Sequence, residues 1–310
     1  MSESSTQEEV SAGEGRARAG LPAWARLLRP QQWVKNVLVF AALIFARKLF
    51  DPHAFLFASL AFGAFCLASS SVYVVNDLID VERDRLHPEK RHRPIASGAV
   101  LAGPATLLAL ALTGVSLGLA FWIGRSFGLA VLIYLSMTHF YSLAGKNVVV
   151  LDVMLIAAGF VIRAAGGALA IGVPMSNWFI LCTLFLALFI ALEKRKAELL
   201  ALEGSAGRTR PVLGTYTLSA LSAYTTTSMG GVLISYALYL LDLRHLSERS
   251  FQLLALTFPF VMFAIFRYHL LVETQRLGEK AEELVLVDRP MQVCILGFAA
   301  VAVAALHLAG

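Results

Sequence analysis

Nine long stretches of this chain are almost free of charge: near residues 30–47, 54–75, 102–123, 127–144, 148–171, 177–193, 216–241, 251–272 and 291–309. About 20 mostly apolar residues make a helix long enough to cross the hydrocarbon core of a bilayer. The runs therefore predict an all-α, polytopic membrane protein with about nine transmembrane helices. The first run is marginal, because Lys35 and Asn36 interrupt it. Only 15% of the 310 residues are charged, against about 25% in an ordinary soluble domain. That charge is clustered between the runs, which excludes a soluble globule.

Residues 1–22 are polar, small and mixed in charge. They lack the basic start and apolar core of a signal peptide, and they hold too little apolar surface to offset their ordering entropy. A disordered cytoplasmic tail is expected there, followed by a single transmembrane domain over 23–310. Cys66, Cys182 and Cys294 each stand alone in an apolar run, as packing residues do, and offer neither a disulfide framework nor a metal site.

The connecting segments carry the orientation. The N-terminal tail with segments 76–101, 145–147, 194–215 and 273–290 holds 19 Lys and Arg, and the opposite set holds 5. Basic residues accumulate on the cytoplasmic side, so the long segments are predicted to be cytoplasmic, in a multi-pass protein of the plasma membrane. The active site should then face the cytoplasm. The net charge of +5 belongs to these loops. No soluble basic domain is present to grip a nucleic acid.

Chemistry concentrates in YVVNDLIDVERDRLHPEKRHRPIASG, residues 73–98. Asn76, Asp77, Asp80 and Asp84 form N-D-x-x-D-x-x-x-D at the end of the second run. Spacings of three and four predict one helical face for the three carboxylates. Three carboxylates there repel one another unless a cation holds them. Mg²⁺ prefers oxygen ligands and commonly joins a few carboxylates to phosphate oxygens, and Asn76 adds a neutral oxygen. Lys90, Arg91 and Arg93 follow directly, placed to neutralise a departing diphosphate. A solvated loop capping a membrane helix is the plainer alternative.

This segment resembles the first Asp-rich motif of the UbiA superfamily of intramembrane prenyltransferases. Nine predicted helices with the motif after the second are similar to that family over nearly the whole chain beyond the tail. The resemblance implies a UbiA-like bundle with a cytoplasmic active-site cap and Mg²⁺-dependent transfer from a diphosphate donor. The family's second motif, D-x-x-x-D after the sixth helix, reads here Glu193-Lys194-Arg195-Lys196-Ala197-Glu198-Leu199. That departure is similar to the branch containing decaprenyl-phosphate phosphoribosyltransferase. The likeness also lies in RPQQWVKN at 29–36, in Lys146, Asp152 and Arg163, in KRKAEL at 194–199, in Tyr216, and in Asp288-Arg289. The branch implies two substrates, phosphoribosyl pyrophosphate (PRPP) and a polyprenyl phosphate, and a product used for cell-envelope polysaccharides.

On that resemblance Asp77, Asp80 and Asp84 are the candidate catalytic residues. With Asn76 and Glu198 they are also the candidate Mg²⁺ ligands. Lys35, Asn36, Asn76, Lys90, Arg91, Arg93, Lys146, Asp152, Arg163, Lys194, Arg195, Glu198, Tyr216 and Arg289 are candidate substrate contacts. Lys194 and Arg195 are the places to look for extra charge toward a donor 5-phosphate. An aromatic prenyltransferase of quinone or related lipid synthesis is the competing enzyme reading. A transporter is a third reading, but no internal repeat supports it. Lys35 and Lys146, at helix ends, fit interfacial snorkelling as well as phosphate binding. Snorkelling is also expected of Arg267 and His269, and a packing role of His139. The run Ala164-Ala165-Gly166-Gly167-Ala168 would permit close helix approach or border a lipid channel.

Overall fold

A computed structural model describes residues 22–87, 90–201, 211–243, 247–275 and 287–308. The expected tail, Pro22 excepted, and basic residues Arg208, Arg210, Arg276 and Lys280 lie outside the described residues. The described residues are mainly helical, with no strand among them. The α-helices in chain order are α1 (Ala23–Leu28), α2 (Ala41–Phe45), α3 (Pro52–Ile79), α4 (Val81–Arg85), α5 (Ala102–Ile123) and α6 (Arg125–Leu143). They continue as α7 (Leu151–Ile171), α8 (Asn177–Ala201), α9 (Leu218–Asp242), α10 (Glu248–Ala255), α11 (Phe258–Gln275) and α12 (Arg289–Val303).

Among the described residues, seven helical stretches are long and apolar enough to cross a membrane, the α10–α11 pair counting as one. Two of the nine runs are not among them. The 30–47 run is a 3₁₀ helix over Pro30–Phe40 continued by the five residues of α2. Helix α9 has the length, at 25 residues, but its first half is rich in hydroxyls: Ser219, Ser222, Thr225, Thr226, Thr227 and Ser228.

Three of the long helices, α3, α9 and α12, start where a side chain satisfies their first N–H groups. Asp51 Oδ1 accepts from the amides of His53 and Ala54 at 3.0 and 3.1 Å, with Pro52 in the first turn. Thr217 caps α9 and Asp288 caps α12 in the same manner. The helices then pack in two groups. One core gathers α3, α5, α6 and α7 around Phe65, Phe127, Val131 and Tyr134. The other gathers α8, α9, α11 and α12 around Phe189, Val232, Ile265 and Met291. Helix α8 packs on both α7 and α9, which joins the groups.

The small-residue run on α7 serves close approach. A Cβ at Gly167 would lie 2.1 Å from the Val39 carbonyl oxygen, so the 3₁₀ segment rests directly on α7. Gly166 leaves room for the rings of Phe65 and Phe127. All three cysteines are free.

Candidate active site

The Asp-rich segment is less continuous than its spacing suggested. Helix α3 ends at Ile79, Asp80 leaves helical geometry with φ −90° and ψ 7°, and α4 resumes at Val81. The break separates the three carboxylates. Asp77 and Asp84 are buried and converge on one guanidinium: Arg93 Nη1 lies 3.2 Å from Asp77 Oδ1 and 2.6 Å from Asp84 Oδ2. Asp80 turns aside to Lys146, at 3.7 Å.

Arg29 adds a second cation on Asp77, its Nη2 2.5 Å from Oδ1. It stands in the quoted RPQQWVKN stretch but was not among the candidate site residues. Its placement depends on a left-handed residue, φ 51°, closing α1 against the 3₁₀ helix, which no spacing rule reveals.

A polar cavity of about 640 Å³ opens beside this cluster. Lys35, Asn76, Arg163, Lys194 and Arg195 line it, together with Arg29, Gln32, Tyr73 and Tyr141. Asn76 Oδ1 is buried with no hydrogen-bond partner. That orphaned acceptor, close in sequence to Asp77 and Asp80, suits a hard cation that takes oxygen ligands. No group of three His, Cys, Asp or Glu side chains is already gathered for a metal among the described residues. Arg29 and Arg93 instead hold the carboxylates, so an entering cation would have to share Asp77 and Asp84 with them or displace them.

The far wall is built from the second motif. Arg195 Nε donates to Asp152 Oδ2 at 2.9 Å and Nη1 to Glu198 Oε2 at 2.7 Å, all three buried. Tyr216 donates to Asp152 Oδ1 at 2.8 Å and accepts from the Val150 amide at 2.8 Å. Burial, aided by the Asp152 contact, pushes the Tyr216 hydroxyl well above the usual phenol range, so it stays a donor. Val150 has φ 70°, which is strained for a β-branched residue, and the Tyr216 bond helps to hold it. The positive charge expected at Arg195 is therefore already matched by two carboxylates. Glu198 is engaged by the same arginine.

Behind this wall two further pairs tie α8 to α11. His269 Nδ1 meets Glu193 Oε1 at 2.6 Å, and Lys196 pairs with Glu273. Arg267 pairs with Asp288 at 2.8 Å. His269 and Arg267, for which snorkelling was expected, thus also have specific carboxylate partners. His139 binds the Leu135 carbonyl at 2.7 Å within its own helix.

The remaining candidates fall apart in space. Asn36 is fully buried and faces Arg163, lining neither cavity. Lys90 lies in a short 3₁₀ turn beside the exposed Arg91. Arg289 is exposed at the start of α12 and also lines neither cavity. An apolar cavity of about 620 Å³ adjoins the polar one and shares Val34, Lys35, Phe160, Ala187 and Ile190 with it.

Comparison with known proteins identifies the family and the fold. The UbiA prenyltransferase family matches residues 36–287. The decaprenyl-phosphate phosphoribosyltransferase of Corynebacterium glutamicum is 38% identical over 288 residues, covering 91% of this chain and 86% of that protein. The enzyme of the same name from Mycolicibacterium smegmatis is 36% identical, covering 94% of both chains. Among solved structures, a UbiA homolog from Archaeoglobus fulgidus bound to GPP and Mg²⁺ superimposes with a TM-score of 0.69 at 22% identity. The match covers 92% of this chain and 99% of that one. From helices, site and sequence together, the chain is an integral membrane protein of the UbiA prenyltransferase family.

Proposed function

We propose that this protein transfers the 5-phosphoribosyl group of PRPP to a polyprenyl phosphate, with Mg²⁺ assisting departure of the diphosphate. The observation that carries the reading is the junction of two cavities, one apolar and one lined by the cations Arg29, Lys35, Arg163, Lys194 and Arg195, with the Asp77 carboxylate held by Arg29 beside it. A polyprenyl tail fits the apolar cavity, and a heavily charged, water-soluble donor fits the polar one. Relatives that carry the phosphoribosyltransferase name along nearly their whole length support the same pairing.

In the reaction the bond from the ribose anomeric carbon to the diphosphate breaks, and its electron pair leaves on the diphosphate. An oxygen of the lipid phosphate forms the new bond. That phosphate is already ionised near pH 7, so no strong general base is required. Mg²⁺, held by Asp77, Asp80 and Asp84 with Asn76, would supply charge stabilisation to the leaving group. Arg29 and Arg93 lie on the same carboxylates and can follow the diphosphate as it charges, each with a planar fork suited to phosphate oxygens. Lys146, beside Asp80, extends this cationic rim. We place the site on the cytoplasmic face of the plasma membrane, where the 19-to-5 excess of basic residues points.

The test is incubation of the purified protein with labelled PRPP and polyprenyl phosphate. A labelled lipid should appear, EDTA should abolish it and Mg²⁺ should restore it. Asp77→Ala or Asp84→Ala should cut turnover at least about a hundredfold, the scale of losing one group that stabilises reacting charge. A protein that ignores PRPP but alkylates an aromatic acid from a prenyl diphosphate would overturn the phosphoribosyl reading.

A further inference from the structure

Arg163 sits 12 residues into α7 from Leu151, about 18 Å along the helix axis, at the wall of the polar cavity. It is 8% exposed, and no carboxylate among the described residues pairs with it. Its hydrogen bonds all go to neutral groups: Nε to Asn36 Oδ1 at 2.7 Å, Nη1 to the Gly159 carbonyl at 2.9 Å, Nη2 to the Tyr134 hydroxyl at 2.7 Å. The guanidinium also lies 4.7 Å from the Tyr134 ring centroid and 5.4 Å from that of Phe160. A guanidinium has five N–H donors, so two remain once these three are counted. A cation buried at membrane depth with no counter-charge is costly and calls for an anion.

Position decides which anion. Phe160, one turn away, lies in the wall that the apolar and polar cavities share. The carboxylate and arginine cluster that suits a soluble diphosphate lies at another part of the same cavity, where Arg29 and Asn76 line it, with Asp77 on α3 and Asp84 on α4. An anion carried on a long apolar tail comes to rest where the tail cavity meets the polar one.

We propose that Arg163 receives the phosphate head of the lipid acceptor, and that Asn36 is the residue that positions it. The proposal rests on the phosphoribosyl reading only for the acceptor's identity. Asn36 is fully buried, and its Nδ2 donates at 3.3 Å to Ser69 Oγ and to Cys66 Sγ. Those bonds fix its Oδ1 on Arg163 Nε and leave two N–H groups of the fork for the cavity that Arg163 lines. A neutral head, such as an alcohol or a quinone, leaves the cation unmatched. The site therefore selects an anionic head, here the phosphate of the acceptor, over a neutral one.

The experiment is equilibrium binding of farnesyl phosphate and of farnesol to the purified full chain, without PRPP or Mg²⁺. Wild-type protein should prefer the phosphate by at least about tenfold, the scale of a charge-assisted hydrogen bond. Asn36→Asp, nearly isosteric, puts a carboxylate on Arg163 and should erase the preference while farnesol binding persists. Arg163→Lys should keep part of it, as a point charge without the fork. An unchanged preference in Asn36→Asp, equal wild-type affinity for both ligands, or equal loss of both in Arg163→Lys would overturn the proposal. A protein that shows the expected preference yet never turns over PRPP would support this subsite and refute the donor assignment instead.

Discussion

Arg195 illustrates how burial changes the meaning of a residue. In the sequence it is one of three consecutive cations and suggests spare charge for a donor phosphate. In the fold it is 2% exposed and divided between Asp152 and Glu198. Removing it strands two buried carboxylates, and breaking a buried pair in that way costs about 3–5 kcal/mol. Arg195→Ala should therefore lose thermal stability first. Unfolding in detergent should show a drop larger than that of Lys194→Ala. If Arg195→Ala melts with the wild type, the Asp152–Arg195–Glu198 triad is not what holds α7, α8 and the Tyr216 segment together.

At the scale of elements, the helix ends do much of the placing. Asp288 both caps α12 and pairs with Arg267 on α11. The hydrogen bond from Arg267 holds its carboxyl below the usual 3.8. A carboxyl depressed in the folded state contributes stability above the ordinary carboxylate range and loses it as pH falls through the folded value. Asp288→Asn keeps a competent cap and removes only the charge. It should therefore unfold at a slightly lower temperature than wild type at pH 7, and the gap should close as the pH falls below 3.8. The effect should be small, since Arg267 is 32% exposed and such pairs are screened by solvent. A gap unchanged at low pH would mean that the ion pair is not its source.

Over the whole molecule, seven of the nine apolar runs emerge as helices long and apolar enough to cross a bilayer, because uninterrupted hydrophobicity is a local property. The convergence of Asp77 and Asp84 was partly legible as well, from their spacing of seven, although a break at Asp80 puts them on two helices. What could not be read is what depends on distant partners. Arg163 and Asn36 stand 127 positions apart, and His269 and Glu193 stand 76 apart. No periodicity couples such residues, and only packing of α7 against the 3₁₀ segment, or of α8 against α11, brings them together. The break at Asp80 was hidden for a related reason, since helical spacing carries no mark of where a helix turns. The basic-residue excess predicts a cytoplasmic N-terminus and, with nine crossings, a C-terminus on the far side. A C-terminal reporter active only in the cytoplasm would show that the number of crossings is even.

The segment over Pro30–Phe40 carries one more implication. A 3₁₀ helix has three residues per turn and rises about 2.0 Å per residue. Its 11 residues, with the five of α2, reach about 30 Å, the thickness of a hydrocarbon core, where sixteen α-helical residues would reach about 24 Å. The same winding sets every third side chain in a straight file. Through their side chains Trp33 binds Ser70 and Asn36 binds Ser69 and Arg163, and at the next step the Val39 backbone carbonyl meets Gly167. These are positions 33, 36 and 39 along a single edge. The thin helix acts as a toothed rack engaged with α3 and α7, so a shift of one residue would disengage every tooth together.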